Sequence, residues 1–208
     1  CVVYSKQLAK QVGKDLKIPV YLYECSATSQ DRVNLAEVRS GEFEGMSEKM
    51  KSAKWKPDYG PVKPHKTAGV TAIGARNFLI AYNINLNTKD KKIATDISLD
   101  IREQGRNKRN KKGKFVRDKN AEPIKVPGTL KSCKAVGWYI EEYGVAQISY
   151  NLTNINISPL HEVFDKTCER ALARGMRVTG SELIGLVPKK VLVDAGKYFL
   201  KKQERSTG

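Results

Sequence analysis

Histidine and cysteine are scarce in this chain of 208 residues: there are two histidines, His65 and His161, and four cysteines, Cys1, Cys25, Cys133 and Cys168. No two cysteines stand at C-x-x-C spacing. That argues against a disulfide framework or a zinc site and fits a reducing compartment. Neither G-x-x-x-x-G-K-[ST] nor G-x-S-x-G occurs, so neither a phosphate-cradling P-loop nor a nucleophile elbow is indicated. No apolar run approaches the roughly 20 residues of a membrane-spanning helix, and the opening CVVYSKQLAKQ is not a signal peptide. With 40% hydrophobic and 29% charged residues, the chain reads as globular and cytoplasmic, with no membrane partner.

Acidic residues are few beside basic ones, 22 against 38, leaving a net charge of +16. Such an excess attracts anions, whether nucleic acid, phosphates or an acidic small molecule. Much of it falls in GRNKRNKKGKFVRDKNAEPIKVPG, Gly105 to Gly128, where Arg106, Lys108, Arg109, Lys111, Lys112, Lys114, Arg117, Lys119 and Lys125 face only Asp118 and Glu122. With few apolar residues to bury, this run is expected to be a mobile loop.

Val3, Leu8, Val12 and Leu16 recur at helical spacing, and Pro19 ends that helix. VYLYE then reads as a strand, Ser29 as the cap of a helix through Val38 that Gly41 stops, and Ser47 as the cap of a third. That strand finds no partner in its own stretch, and the chain opens on a cysteine inside an amphipathic helix. The expectation is an incomplete α/β subdomain whose beginning lies elsewhere. Farther on, VTAIGARNFLIAYNINL contains a strand with Phe78, Ile80, Tyr82, Ile84 and Leu86 alternating, and Thr88 is placed to cap a helix striped by Ile93, Ile97 and Ile101. CKAVGWYIEE and VAQISYNLTN form a hairpin at Tyr143-Gly144, Ser158-Pro159 start a strong helix, Met176 to Thr179 make a fourth strand, and a last helix follows GSELIGLVP. The order is β-α-β-β-α-β, so the fold class is α+β, with a ferredoxin-like α/β sandwich in the second half and one sheet face left open.

Candidates for chemistry are sparse. His161, in the first turn of its helix, reads as a solvated or capping group; His65 stays open between loop filler and ligand contact. Glu141-Glu142 and Glu42, Glu44 read as solvated charges rather than an acid–base pair. Trp138 and Tyr139 point to opposite sides of one strand, so at least one of them can meet a ligand on the open face. The most unusual stretch is PDYGPVKPHKTAGVTAIGAR, Pro57 to Arg76, a proline-stiffened, basic loop that runs directly into a strand.

Several strings together resemble one family: IPVYLYE, VRSGEFEGMSEKMKSAKWKPDYGP, GARNFLIAYNINL, DIREQGR, AVGWYIEE, AQISYNLTN and GSELIGLVP are similar, in order and over nearly the whole chain, to the formiminotransferase domain of glutamate formimidoyltransferases. The resemblance implies transfer of a formimino group from N-formimino-L-glutamate to N5 of tetrahydrofolate, a co-substrate that can carry several glutamates, with no metal. It implies two α/β subdomains holding folate between their sheets: 1–78 the tail of the first, 79–208 the second, cut short at its end. The loop after D-[FY]-G-P would line the folate site, and it comprises Gly60, Pro61, Val62, Lys63, Pro64, His65, Lys66, Thr67, Ala68 and Gly69. Gly60, Pro61 and Gly69 match the family pattern as they stand; Val62 to Ala68 differ in type from the animal enzymes. Lys63, Lys66 and Arg76 are placed to meet an anionic glutamate tail.

The family's catalytic histidine belongs to an H-P-R-M-G-A motif upstream of Cys1, so no catalytic residue is assigned here and the chain alone is expected to be inactive. Nothing resembles the cyclodeaminase domain fused to the animal enzymes. A homodimer is left open. Two alternatives remain: a basic ferredoxin-like nucleic-acid-binding module, disfavoured because the strands lack a K/R-G-F-x-F run and the basic residues cluster in a loop, and a folate-dependent formyltransferase relative.

Overall fold

Pro19 has no N–H with which to continue a helix, and the first helix, α1 (Val2–Asp15), stops short of it. The computed structural model describes residues 1–204, and the chain divides into two compact units, Cys1–Arg76 and Asn77–Gly208. The far end of the second expected domain, 205–208, lies outside the described residues.

In the first unit α1 buries a different stripe from the one its sequence advertises. Ser5, Ala9 and Gly13 face inward, whereas Val3, Leu8 and Leu16 are exposed. Small side chains one turn apart let a helix lie close against neighbouring backbone: a Cβ on Gly13 would stand 2.7 Å from the nitrogen of Gly60. Strand β1 (Val20–Glu24) is not without a partner. It pairs in parallel with β2 (Thr71–Ala75), Val20 opposite Thr71 and Glu24 opposite Ala75. Thr71–Ala75 and the following Ile80–Leu86 look like one apolar run, but the ladder breaks between them and Phe78 is exposed.

Parallel pairing demands a long crossover, and residues 25–70 supply it. Ser29 opens only a 3₁₀ turn, Gln30–Arg32. Helix α2 (Leu35–Arg39) is capped instead by Asn34, whose side chain accepts from the Ala36 N–H. Gly41, expected as a stop, starts α3 (Glu42–Lys49), and Ser47 lies inside that helix. The strand alternation then divides the core. Val20 and Leu22 pack with Ala9, and Tyr21 packs with Val38, Met46 and Met50.

The second unit is the α+β arrangement expected. Strand β3 (Ile80–Leu86) leads to α4 (Lys91–Ile101). That helix is capped by Asp90, whose carboxylate accepts from the Lys92 N–H at 2.7 Å; Thr88, expected as the cap, accepts from the Asp90 N–H. After the basic segment, which carries the two-residue strands β4 (Arg106–Asn107) and β5 (Lys125–Val126), come β6 (Cys133–Ile140), β7 (Val145–Leu152), α5 (Leu160–Leu172), β8 (Val178–Ile184) and α6 (Lys189–Lys202). The fourth strand thus runs on through GSELI, which sequence reading had assigned to the approach of the last helix. Four strands pair antiparallel in the order β6-β7-β3-β8, so β7 splits the β3–α4–β6 crossover. Ile80, Tyr82, Ile84 and Leu86 of β3 and Ile148, Tyr150 and Leu152 of β7 form one buried layer with Ile97, Ile101 and Val163 of the helices.

The basic segment, expected as a loop, carries short strands and a network of local hydrogen bonds. Lys108 N–H donates to Ile124, Ile124 N–H to Val116 and Val116 N–H to Lys108, closing a ring of backbone bonds at 2.7–2.9 Å. Two turns then repeat one scheme. Asn110 Oδ1 accepts from the Lys112 and Lys114 N–H groups, and Asp118 Oδ1 accepts from those of Asn120 and Glu122. Arg109 and Arg117 each donate across their own turn, to the carbonyls of Gly113 and Ala121. Side-chain carboxylates and amides that bond nearby backbone can hold a turn without any apolar core.

The segment is fastened to the helices by four charges. Arg106 donates to Asp96 at 2.7 Å and to Asp100, and Arg174 donates to Asp96 at 2.5 Å and Asp100 at 2.6 Å. Burial pushes the Asp96 carboxyl upward, but the hydrogen bonds from Arg174 and Arg106 outweigh it and hold the group below the usual carboxylate range. A carboxyl whose pKa is depressed by folding stabilises above its unfolded value, and that contribution is lost as pH falls through the folded value. Asp96→Asn is therefore expected to flatten the acid limb of the melting temperature between about pH 5 and pH 2. The difference should be about 1 kcal/mol or less, since the cluster is partly solvated. Parallel acid limbs in wild type and variant, followed by circular dichroism, would show that the cluster contributes nothing.

Candidate functional site

Both units present a surface able to meet a ligand. In the first, the loop after β1 is pinned at its two ends. Val20 exchanges backbone hydrogen bonds with the 58–59 segment, donating to Tyr59 and accepting from Asp58, both at 2.9 Å. The Asp58 carboxylate accepts from the Leu22 N–H at 2.8 Å and from Thr28 Oγ1 at 2.6 Å, and pairs with Arg32 at 2.7 Å, both side chains being 8% exposed. The Arg32 guanidinium also donates to the carbonyls of Lys54 and Lys56. Burial further pushes the neighbouring Tyr21 hydroxyl up to about 12.

Gly60 follows with φ +85, and a Cβ there would lie 2.5 Å from the Ile18 carbonyl oxygen; only glycine tolerates both constraints. At the other end Gly69 is buried with φ +64 beneath the Phe43 ring.

Between these pins the loop is a rim. Pro61, Val62 and Lys63 are exposed, Pro64 and His65 are half-buried, and Lys66, Thr67 and Ala68 are exposed. His65 and Gly69 exchange backbone hydrogen bonds at 2.8 and 2.9 Å. The His65 ring accepts at Nδ1 from the N–H groups of Thr67 and Ala68, at 3.3 and 3.1 Å. An Nδ1 that accepts from two amides places the ring proton on Nε2, so His65 builds the turn through Nδ1. The His65–Gly69 exchange and the His65 ring thus close the second half of the expected ten-residue site into a tight turn.

In the second unit the sheet face away from the helices is polar. Strand register sets Trp138 opposite Gln147, Gln147 opposite Asn85, and Asn83 opposite both Ser149 and Glu182. Trp138 Nε1 donates to Gln147 Oε1 at 2.8 Å, and Gln147 Nε2 donates to Asn85 Oδ1 and Glu182 Oε1, each at 2.7 Å. Gln147 is fully buried, while Trp138 is 43% exposed. Tyr139 points to the other side of β6, as its position demands.

Other clusters offer less. His161 stacks on Tyr198 with ring centroids 4.4 Å apart, and Tyr198 and Lys202 both donate to Asp165. Burial raises the Asp165 carboxyl, but those two hydrogen bonds draw it below the usual range. A groove of about 500 Å³ beneath the basic turns is lined by Leu99, Arg102, Arg106, Lys108 and Phe115 among others. Arg106 is neutralised by Asp96 and Asp100, and Arg102 donates to the carbonyls of Gly105 and Ala135. Among the described residues, no three His, Cys, Asp or Glu side chains gather as a metal-ligand set, and no helix is long and apolar enough to cross a membrane. Sequence reading missed the Arg32–Asp58 pair, which has no local signature. It also missed the Gln147 network, although the alternate polar positions of Asn83, Asn85, Gln147, Ser149 and Asn151 were a visible signal.

Comparison with known proteins decides the lineage. The family model described as the formiminotransferase domain matches residues 81–207, and that described as its N-terminal subdomain matches residues 1–76. The chain belongs to the formiminotransferase family. It is 42% identical over 204 residues to a glutamate formimidoyltransferase of Streptococcus pyogenes serotype M1, covering 98% of this chain and 61% of that protein. It is 37% identical over 202 residues to the glutamate formimidoyltransferase of Thermoplasma acidophilum, covering 96% and 59%. With the formimidoyltransferase-cyclodeaminase of Gallus gallus it shares 39% identity over 204 residues, covering 98% of this chain and 35% of that protein. The chain therefore spans about a third to three fifths of the length of these curated relatives.

Within the formiminotransferase chain, Asp58 carries the fixed end of the rim. Asp58→Asn leaves Arg32 with an uncompensated buried charge, a change that costs about 3–5 kcal/mol. The expected outcome is a large loss of thermal stability together with proteolytic nicking in the 56–69 segment, mapped by mass spectrometry. An unchanged melting curve would show that the pair does not hold the rim.

Proposed function

We propose that this chain provides substrate-binding residues of a glutamate formimidoyltransferase, which moves a formimino group from N-formimino-L-glutamate to N5 of tetrahydrofolate. The observation that carries the proposal is the pinned rim Gly60–Gly69 inside a chain that matches the family over residues 1–76 and 81–207.

A pterin is a flat ring that favours a shaped slot with a few fixed polar groups. A rim stiffened by Pro61 and Pro64 loses little entropy when it orders around such a ring. Lys63 and Lys66, both exposed, supply cationic ends for a glutamate tail. The Nε2–H of His65 adds one candidate donor.

The transfer itself asks little covalent work of the protein. N5 attacks the formimino carbon, and the bond from that carbon to the glutamate nitrogen breaks. N5 gives up a proton, and the departing nitrogen takes one. Holding the two reactants in contact and managing those protons is where catalysis lies. His65 is engaged at Nδ1 by backbone and His161 is stacked on Tyr198. On the resemblance, proton handling falls to the H-P-R-M-G-A motif, which does not occur in 1–208. This chain by itself then binds without turnover.

The test is a titration of the 1–208 chain with folic acid and N-formimino-L-glutamate by calorimetry, alongside a transfer assay and a salt titration against RNA. The expected outcome is saturable folate binding, no turnover, and about a tenfold loss of folate affinity in Lys63→Ala/Lys66→Ala, close to 1.4 kcal/mol. Tight, steeply salt-dependent RNA binding without a folate response would replace this reading with the nucleic-acid one. Turnover by 1–208 would place the proton-handling group within it.

A further inference from the structure

Among the described residues, the carboxylates that form no ion pair are mostly exposed, and a half-buried one is uncommon. Glu182 is one. It lies half-buried on β8, on the polar face of the second unit's sheet. Its Oε1 accepts from Gln147 Nε2 at 2.7 Å. Among the described residues of its own unit, no Lys, Arg or His pairs with it, and Oε1 carries its one side-chain hydrogen bond there.

The neighbours do not merely tolerate this carboxylate; they orient it. An indole N–H can only donate, so the bond from Trp138 Nε1 fixes which end of the Gln147 amide is oxygen. Gln147 must then turn its NH₂ toward Asn85 and Glu182, and both of its protons are used there. Gln147 is fully buried, so its amide cannot swing away without leaving polar atoms unsatisfied. One Glu182 oxygen is thereby anchored and the other is left as an acceptor. The exposed Trp138 indole sits at the opposite end of the same amide and supplies a flat apolar surface.

We propose that Glu182, positioned by Gln147, is a specificity-determining acceptor for the amidine-type edge of a planar substrate group, an N–C–N unit presenting two parallel N–H donors. A carboxylate matches such a pair in the two-point manner it uses for guanidinium. The inference deepens the reading above and rests on it. Two groups in that reaction carry the edge: the 2-amino-4-oxopyrimidine ring of the pterin, through its 2-amino and N3–H groups, and the formimino group. No covalent step is assigned to Glu182. Its contribution is selection, because an acceptor that the bound substrate covers rejects the analogue that lacks the matching donor.

The experiment compares the full 1–208 chain with Glu182→Gln and Glu182→Asp, using Glu141→Gln at the hairpin tip as control. Binding of folic acid, a 2-desamino-2-methyl folic acid and N-formimino-L-glutamate is measured by calorimetry, with folding checked by circular dichroism. The expected result for a pterin contact is a loss of at least about tenfold in folic acid affinity in Glu182→Gln, with partial recovery in Glu182→Asp. The desamino analogue should bind wild type and Glu182→Gln alike. For a formimino contact, the same loss appears with N-formimino-L-glutamate and not with folic acid.

Either pattern upholds the assignment and identifies which group is held. Equal affinities of wild type and Glu182→Gln for both substrates would overturn it while leaving the functional reading intact. Failure of the wild-type chain to bind either substrate would overturn both. Should Glu182→Gln fail to fold, Glu182→Asp decides alone: a folded Glu182→Asp with wild-type affinities overturns the assignment, and a selective loss of one substrate upholds it.

Discussion

Successive residues of a strand face opposite sides of its sheet, and in the second unit this one geometric constraint separates core from surface. Ile80, Tyr82, Ile84 and Leu86 go to the helices, as do Ile148, Tyr150 and Leu152. Asn83 and Asn85, with Gln147 and Ser149, must therefore go to the other face, side by side through the antiparallel register. A slip of one residue in that register would bury the amides and expose the isoleucines. The apolar half of the pattern thus enforces the position of the polar half, and the hydrogen-bonded row of Trp138, Gln147, Asn85 and Glu182 is a by-product of core formation.

The first unit cannot rely on the same device, because its sheet has two strands. It uses electrostatics instead. Asp58 gathers the Leu22 amide, the Thr28 hydroxyl and the Arg32 guanidinium, and Arg32 in turn holds two carbonyls of the segment before it. Buried charges persist where their partners are good, and here they join β1, the crossover and the start of the rim. Charge has a related task in the second unit. Asp96 and Asp100 fasten Arg106 and Arg174, so part of the basic excess is neutralised and works as a tether. The ordered turns beyond it, built on Asn110 and Asp118, are stabilised by local hydrogen bonds rather than apolar burial.

The parts of this architecture that were legible in the sequence are those governed by short-range periodicity. The alternation in Ile80–Leu86 and Val145–Leu152, the helical stripes of α4 and α5, and the glycine-marked hairpin at Tyr143-Gly144 all follow from neighbours within a few residues. Misreadings arose where a distant element overruled the local signal. The stripe of Val3, Leu8 and Leu16 implied an inward face, but the close approach of α1 to Gly60 selects Ser5, Ala9 and Gly13. The strand alternation was read from Phe78 onward, but Phe78 is exposed, and the preceding Thr71–Ala75 forms a strand of its own because it has a parallel partner at Val20–Glu24. The basic segment looked like a plain loop because it lacks apolar residues, and its local hydrogen bonds are not a compositional property.

By itself, the sequence determined the fold class, the family resemblance and the two-sided character of the strands, since each depends on residue type and spacing alone. Tertiary structure decided which stripe of α1 is buried, that Arg32 meets Asp58 across the crossover, and that Gln147 turns its amide toward Glu182. Those outcomes join residues far apart in the chain, and their energies depend on desolvation and hydrogen-bond direction, which exist only once the backbone has brought the groups together.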